Sequence, residues 1–578
     1  MNPAVPASGT TIRARIHDSA IKRVTRFFSS SLADIFTETF QNARRAGARH
    51  VFIHVAGDRH PSTITIIDDG DGIADPAVLL SFGENGWSPD LVRSEDAAGM
   101  GFIALARRGC TVSSRPRSAN GTAYPGWAVS LAPEHFTGDT DAIVNRDDHA
   151  PWPHGTAVSF TIDESANAIR NAATVAARYF PLPVHLSGLP EAPDDGEELE
   201  RRSFLAGAIH TECWQGIAFG VFRNMRHRHG EPDTNFHGIT VPAALPEITA
   251  ANDDNWSVFA DIHDCPRLEL VLPARREVVQ TPFLDELREA ACLCIYRAMA
   301  RQPHPDPVFA DWQRAQSVGI RIPPARPRLR PWKPSIADHN AGRELPKRQD
   351  VPSSSLVMAF DPDPPEAQAL YRALGYSDMA HQVFETDRLL EGYGWYDRLY
   401  RITAAPAEAL HEGRSTPILE TGAVPSEGGT PDMPDRPEDI LVKLCIQHPE
   451  RADQSFTMAA DLVFPSEPYA SIEEIEPLVT LTSELQPGEL AQLIHASYFS
   501  PSDDWEADSW ETQSEQFMQQ AVTLATELLC GKDEAVRQAL TELANRELRW
   551  IVPADATAIV TIRGRQVTVS LDTGKEAA

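Results

Sequence analysis

The chain has 578 residues, which is too long for one compact core and predicts roughly three or four domains. Its hydrophobic content of 42% is typical of a globular protein, and no stretch approaches the roughly eighteen uninterrupted apolar residues of a membrane-spanning helix. The formal net charge is −30, and about −24 of it falls in residues 351–578. Because acidic surfaces repel phosphate backbones, we do not expect the C-terminal part to bind nucleic acid.

The N-terminus and the cysteines bear on the compartment. The N-terminus lacks the charged-then-apolar pattern of an export signal, and the seven cysteines are odd in number and scattered. Free thiols of this kind suit a reducing environment. We therefore expect a cytoplasmic protein that does not act at a membrane.

Helical and strand patterns alternate over residues 1–165. A helix is predicted after the serines at 29–31, with apolar residues at helical spacing and Gly47 as its stop. A second helix is predicted between Gly101 and Gly109. Strands are predicted at 50–56, 63–67, 111–114, 127–131 and 156–162. This order indicates an α+β domain in which helices cover a sheet in two layers.

The remainder divides into three parts. Residues 166–320 are predicted as a second α/β domain, with strands at 216–222, 239–241 and 268–272 and a helix at 282–300. Residues 321–350 are rich in Pro and Arg, and we expect an extended linker without regular structure. Residues 351–578 form an acidic C-terminal domain of mixed character, with helices at 366–374 and 514–529 and a hairpin at 558–571.

Four short motifs carry the chemistry of the first domain. Each alone is weak evidence, but together they predict a pocket for a nucleotide and a metal ion. The motifs are Glu38-Thr39-Phe40-Gln41-Asn42, Asp68-Asp69-Gly70-Asp71-Gly72, Gly99-Met100-Gly101-Phe102 and Gly155-Thr156.

The first motif combines a base and a metal ligand. Glu38 and Asn42 are four residues apart, so a helix places them on one face. The amide oxygen of Asn42 is a suitable ligand for Mg²⁺ that is held mainly by phosphates and water. Glu38 can orient and deprotonate a water for attack on a γ-phosphate.

The other motifs supply base recognition and an anion site. Asp68 follows a strand, where its carboxylate can accept a hydrogen bond from an adenine amine, while Gly70 and Gly72 allow close backbone approach. Gly99 and Gly101 precede a helix start, a position that binds anions through free N–H groups. Thr156 is expected to hydrogen-bond either the carboxylate of the second motif or a water beside the base.

The order and chemistry of these motifs resemble the GHKL superfamily of type II topoisomerases, heat-shock chaperones of the ninety-kilodalton class, histidine kinases and MutL mismatch-repair proteins. The resemblance covers roughly residues 10–165, and it implies the Bergerat fold, ATP as ligand and Mg²⁺ as cofactor. The chain departs from the family in two ways. Arg45 stands where many members have an acidic residue, and the lid between Phe82 and Gly99 is short.

The family's ATPases place a transducer domain after the ATP domain, and this domain supplies a basic residue to the γ-phosphate. Residues 166–320 are similar to it in position and strand content. Arg275 and Arg276 follow a predicted strand and are the candidates for that contact.

The expected protein is a Mg²⁺-dependent ATPase in which lid closure and dimerisation or domain movement act on a protein partner through the C-terminal domain. Such a role is chaperone-like or that of a switch. Two alternatives remain open: a nucleotide sensor or scaffold that does not hydrolyse ATP, and a MutL-like ATPase that acts on DNA. A zinc site from His210, Cys213, His227 and His229 is a further alternative, although the spacing matches no regular zinc module.

Overall fold

The computed structural model describes residues 31–56, 61–81, 104–117, 125–147, 153–189, 196–225, 230–271, 277–334, 346–377, 382–418, 436–464, 471–502, 508–554 and 556–572. The chain divides into two compact units, Met1–Pro323 and Pro324–Ala578, and each is described by itself. Helices and strands are mixed in both units, which confirms the predicted α+β class. Among the described residues, no helix is long and apolar enough to cross a membrane.

The first half of unit 1 is an eight-stranded mixed sheet in the order β5-β4-β3-β6-β2-β1-β7-β8. Its strands are β1 Val51–Ala56, β2 Ser62–Asp68, β3 Cys110–Arg115, β4 Trp127–Leu131, β5 Val144–Arg146, β6 Gly155–Ile162, β7 Val184–Ser187 and β8 Glu197–Glu198. Its helices are α1 Leu32–Arg45, α2 Pro133–Phe136 and α3 Ala166–Ala177, with a 3₁₀ turn at Pro76–Leu79.

Helix α1 begins and ends where the sequence predicts. The Ser31 side chain accepts from the backbone of Asp34, whose carboxylate accepts from the Ser31 backbone, so the first turn is closed by a capping box. Gly47 adopts a φ of 69°, which favours glycine and terminates the helix. The apolar face of α1 includes Phe36 and Phe40, both fully buried.

One face of the eight-stranded sheet is covered. Alternate residues of β1 are buried and exposed, and the buried set joins the apolar faces of α1 and α3 in a single core. Strand β1 pairs with β2 on one side and, in parallel, with β7 on the other. The sheet therefore continues past residue 165, where the sequence analysis placed the domain boundary, and that boundary is too early because β7 and β8 pair within this sheet.

The second half of unit 1 is a six-stranded sheet in the order β12-β11-β14-β10-β9, with β13 beside β14. Its core joins the buried face of α4 to strands of this sheet. The elements are β9 His210–Trp214, β10 Ile217–Arg223, β11 Thr234–Phe236, β12 Ile239–Val241, β13 Glu247–Thr249, β14 Asn255–Ile262, α4 Pro282–Ala300 and α5 Phe309–Ser317.

The predicted strand at 268–272 is wrong over its described part. Residues 268–271 form only an isolated bridge between Leu270 and Val278. Leu268 and Leu270 are nevertheless buried. Their alternation records burial of one side of an irregular segment, which a strand pattern cannot distinguish from a paired strand.

Unit 2 begins with a seven-stranded sheet in the order β18-β17-β19-β22-β20-β21, with β23 beside β22. Helices α8 and α9 form a further core with β24 and β25. The strands are β15 Arg328–Leu329, β16 Gln349–Asp350, β17 Leu356–Met358, β18 Val383–Glu385, β19 Tyr400–Ala404, β20 Ala407–His411, β21 Arg414–Pro417, β22 Asp439–His448, β23 Arg451–Ala460, β24 Leu462–Val463, β25 Leu478–Val479, β26 Thr557–Arg563 and β27 Gln566–Asp572. The helices are α6 Pro364–Gly375, α7 Gly394–Asp397, α8 Pro487–Tyr498, α9 Trp510–Cys530 and α10 Lys532–Leu543, followed by a π turn at Ala544–Leu548; 3₁₀ turns occur at Arg388–Leu390 and Ile472–Glu474.

The segment predicted as an extended linker, 321–350, contains regular structure. Strands β15 and β16 pair with each other, and Leu329 is fully buried. Trp332 packs against the core of the seven-stranded sheet. The expectation of a linker without regular structure is wrong because the prolines lie beside the paired residues rather than at them.

Candidate functional site

A row of buried polar side chains crosses the middle of the eight-stranded sheet. Asp68 is the register partner of Thr156, and Thr156 is the register partner of Ser114, so the three lie side by side on β2, β6 and β3. Their exposed fractions are 9%, 6% and 2%, respectively. Buried polar groups in an apolar core are costly unless they are hydrogen-bonded, so such a row is a candidate functional feature.

The carboxyl group of Asp68 is buried, and burial disfavours its charged form relative to an exposed aspartate. Burial raises its pKa to about 6, and hydrogen bonds from the backbone N–H groups of Gly70 and Thr156 oppose the rise. The Gly70 nitrogen lies 2.9 Å from Oδ1. A buried carboxylate that is ionised above pH 6 is a strong acceptor for a ligand N–H group.

The neighbouring carboxylate behaves in the opposite way. Asp69 accepts from the backbone nitrogens of Arg49 at 2.6 Å and His50 at 2.9 Å. Burial raises the pKa of Asp69, but these bonds and the His50 side chain outweigh it, and the net pKa lies below its usual value. Asp69 thus fixes the turn between α1 and β1.

The hydroxyl of Thr156 lies beside that of Ser114, and of the two expected partners only the carboxylate can be compared with this position. Its Oγ1 lies 3.3 Å from Oγ of Ser114, and the Thr156 backbone N–H, rather than the hydroxyl, is the group that stabilises the Asp68 carboxylate. Ser114 also accepts from the backbone nitrogen of Ile73 at 2.8 Å. Sequence reasoning missed Ser114, because only strand register places it in this row.

Close approach of the backbone requires glycine at positions 155 and 70. A Cβ on Gly155, whose φ is 120°, would lie 2.0 Å from the carbonyl oxygen of Asp68. A Cβ on Gly70 would lie 2.7 Å from both Cβ and the carbonyl oxygen of Ala46. The backbone of Asp71 donates to that same Ala46 carbonyl at 2.7 Å. The second motif is therefore packed directly against the end of α1.

Three further groups hold the turn between Asp68 and Gly72. The Gly72 φ is 73°, and a Cβ there would lie 2.7 Å from the carbonyl oxygen of Arg115. His154 Nδ1 lies 2.9 Å from the Gly70 carbonyl oxygen. Arg117 Nε donates to Oδ1 of Asp71 at 2.6 Å. The turn is fixed from several strands, so its backbone is preorganised before any ligand binds.

Helix α1 carries the first motif beside this turn. Asn42 accepts, through its carbonyl, from the Ala46 nitrogen at 2.9 Å, so it lies one helical turn before the residue that contacts Gly70. Glu38 lies one turn earlier and is half-buried. The side chain between them on the chain, Gln41, is fully buried and donates through Nε2 to the His237 carbonyl at 2.7 Å.

Four candidate residues lie outside the described residues. These are Gly99 and Gly101 of the third motif, together with the lid that precedes them, and Arg275 and Arg276. The residues that flank the two arginines are described, and the Val271 nitrogen donates to the Glu277 carbonyl at 2.8 Å.

The zinc alternative is not supported by the residues that are described. His227 and His229 lie outside them, and Cys213 is exposed. His210 instead lies beside Glu212 and Cys294, with donor atoms within 4.8 Å of one another. A guanidinium N–H of Arg301 donates to His210 Nδ1 at 2.9 Å, so the neutral ring carries its proton on Nε2, and that nitrogen cannot bind a metal.

The described residues fit ATP and Mg²⁺ in donor chemistry. Asp68 offers a buried carboxylate that can accept a hydrogen bond from a ligand N–H group, next to a turn that is held by contacts with Ala46 and Arg115. Asn42 offers a neutral oxygen of the kind that Mg²⁺ accepts alongside phosphates.

Comparison with known proteins adds little to this description. No family model and no curated protein matches the sequence. A comparison of structures finds similarity to the B-subunit of DNA gyrase from Myxococcus xanthus, at 14% identity and a TM-score of 0.33, over 50% of this chain and 96% of that chain. A TM-score of this size establishes no common fold.

Proposed function

We propose that unit 1 binds ATP with Mg²⁺ and hydrolyses it, and that the nucleotide-dependent change acts on a protein partner. The observation that carries the ATP proposal is the Asp68 carboxylate, which is buried yet ionised above a pKa of about 6 between two backbone donors. A fold gains nothing from such a charge in its core, because desolvation disfavours it. A hydrogen bond from a ligand donor such as the adenine amine would stabilise the charged carboxylate and so account for its burial.

The roles of the other residues are proposed from the sequence motifs in which they lie, since Gly99, Gly101, Arg275 and Arg276 are outside the described residues. Asn42 is a ligand of Mg²⁺, which would neutralise phosphate charge during hydrolysis. Glu38, one turn earlier on α1, orients and deprotonates the attacking water. Gly70, Gly72, Gly99 and Gly101 line the nucleotide with backbone groups, and Arg275 or Arg276 contacts the γ-phosphate.

Substitution of Glu38 separates binding from hydrolysis. Glu38→Ala should bind ATP with nearly unchanged affinity, while phosphate release falls by about 100-fold or more, because a positioned base contributes on the order of 10²–10⁴ in rate. Binding is measured by calorimetry and turnover by released phosphate. Glu164→Ala, at an exposed position between β6 and α3, is the matched control and should keep both properties.

The binding and turnover measurements distinguish the proposed ATPase from the two alternatives. Equal phosphate release by Glu38→Ala and the wild type would contradict the assigned role. ATP binding without turnover in the wild type would favour the sensor or scaffold alternative. Turnover that rises with DNA at moderate salt would favour the DNA-acting alternative.

A further inference from the structure

The last described part of unit 2, residues 532–554 and 556–572, exposes most of its large apolar side chains. We call it the C-terminal arm; it comprises α10, the π turn and the hairpin of β26 and β27. Ala535 is buried in α10, whereas every described residue of the hairpin except Ala558 is exposed. The three large sheets bury their apolar residues in hydrophobic cores, whereas the hairpin of the arm exposes its apolar residues.

The hairpin has one apolar and one polar face. Cross-strand partners share a face, and the pairs Ala558–Leu571, Val560–Val569 and Ile562–Val567 place six apolar side chains together. The five larger ones are between 41% and 62% exposed. The opposite face carries the polar pairs Thr557–Asp572, Thr561–Thr568 and Arg563–Gln566, and Ile559, opposite Ser570, is its one large apolar side chain. This alternation is that of a strand pair built to cover, or to be covered by, an apolar surface.

The hairpin also lacks a third strand among the described residues. A two-stranded hairpin is marginally stable in water by itself, and stability requires more strands or a surface packed on the apolar face. The geometry therefore calls for an occupant of this face.

The exposed apolar surface extends along the rest of the arm. Val536, Leu540 and Leu543 are exposed at spacings of four and three residues, which puts them on one face of α10. Trp550 is 77% exposed and Ile551 is 74% exposed. With the five larger hairpin residues they make ten exposed apolar side chains, which is the scale of an interface that takes about 800 Å² from each partner.

The charge of the arm indicates what the occupant is. Residues 532–572 contain six basic and six acidic residues, so the arm is neutral in a chain of net charge −30. A basic partner would be attracted to the acidic remainder of unit 2 rather than to the arm. Two copies of this chain are both strongly acidic and repel each other over most of their surface. The arm carries no net charge, so two arms can meet without this repulsion.

From the exposed face, its extent and its neutrality, we infer that a second copy of this chain covers the C-terminal arm, so that the protein is a dimer through residues 532–572. A two-fold arrangement is self-complementary, because the same apolar face meets its own copy. This dimer requires no nucleotide, and it stands or falls independently of the proposed ATPase activity.

Sedimentation of the full chain without nucleotide tests the dimer. The wild type at about 50 μM should be dimeric, since interfaces of this size bind at micromolar affinity or better. Val569→Asp, which puts a charge on the apolar face, should raise the dissociation constant by about 100-fold or more. The matched control Thr568→Asp puts the same charge on the polar face one residue away and should remain dimeric.

Folding and alternative occupants are checked alongside. Circular dichroism and ATP binding should be the same for both variants, because the arm lies in unit 2. A monomeric wild type at this concentration would overturn the inference, as would equal dissociation by both variants or a dimer unaffected by Val569→Asp. Co-sedimentation of a monomeric wild type with phosphatidylcholine vesicles would assign the face to a bilayer instead.

Discussion

Folded proteins usually bury apolar side chains and expose charged ones. The middle of the eight-stranded sheet and the C-terminal arm depart from this pattern in opposite ways. The sheet buries the charged Asp68 beside Thr156 and Ser114, whereas the arm exposes Val567, Val569 and other apolar side chains. Both arrangements cost free energy in the isolated chain, because charge prefers water and apolar surface avoids it. For each region we propose a binding partner that offsets the cost, and the two partners differ in kind: a small polar ligand for the sheet and an apolar protein surface for the arm.

The largest effect is expected for Asp68→Asn. ATP affinity should fall by about 100-fold or more, because a charged hydrogen-bond acceptor is replaced by an amide that presents a donor to the adenine amine. Stability at pH 7.5 should rise, since the buried charge is removed. Calorimetry measures the first change and thermal unfolding the second.

Asp69→Asn is the matched control and should reverse the pattern. Asp69 accepts from the backbones of Arg49 and His50, so its loss should lower stability by about 1 kcal/mol while ATP affinity changes little at temperatures where the domain is folded. If both variants lost the same affinity and the same stability, the contrast between a ligand-binding and a structural carboxylate would be wrong.

Gly70→Ala tests how tightly the turn after Asp68 packs against the end of α1. The added Cβ meets Ala46 at 2.7 Å, so either α1 or the turn must move, and we expect a loss of about 1–3 kcal/mol together with weaker ATP binding. Gly47→Ala is the control: nothing lies within 4 Å of its Cβ, and only the φ of 69° is strained, which costs about 1 kcal/mol. Denaturant unfolding measures both, and a smaller loss for Gly70→Ala than for Gly47→Ala would contradict the packing argument.

The pH dependence follows from the raised pKa of Asp68. The folded pKa of about 6 lies above the ordinary value of 3.8, so the charge penalty is absent below pH 3.8 and is complete above pH 6. Asp68 therefore lowers stability as pH rises through this window, by about 3 kcal/mol. ATP binding changes in the opposite sense and should weaken as pH falls below 6. Affinity in the wild type that stayed flat from pH 7.5 to pH 5 would contradict an ionised Asp68 as the acceptor.

The smallest effect is expected for Gln41→Met, which removes the hydrogen bond from Gln41 Nε2 to the His237 carbonyl. We expect a stability loss of about 1–2 kcal/mol and a several-fold fall in kcat with little change in KM, because α1 then loses a hydrogen bond to the segment between β11 and β12. Thr39→Val removes a hydrogen bond within α1 only and should leave kcat unchanged. Equal kcat values for the two variants would show that the Gln41 contact does not affect turnover.

Individual helices and strands could be predicted from the sequence, but the register between distant strands and the tertiary contacts could not. The helix at 282–300 and the strands at 127–131 and 239–241 lie where their patterns predict, because capping, spacing and turn residues are local signals. The row of Asp68, Thr156 and Ser114 depends on register between strands that are far apart in sequence. The segments at 268–272 and 321–350 were misjudged because burial and pairing there are set by tertiary contacts.

The parallel pairing of β1 with β7 determines how much of the chain must be synthesised before the first sheet is complete, and where the chain can be truncated. The first sheet is complete only after about residue 199 has been synthesised, because β7 and β8 complete one side of it. A fragment that ends at residue 165 would leave β1 as an open edge with a row of unpaired backbone groups. Such a fragment should associate through that edge, so recombinant fragments of the first domain need to extend beyond β8.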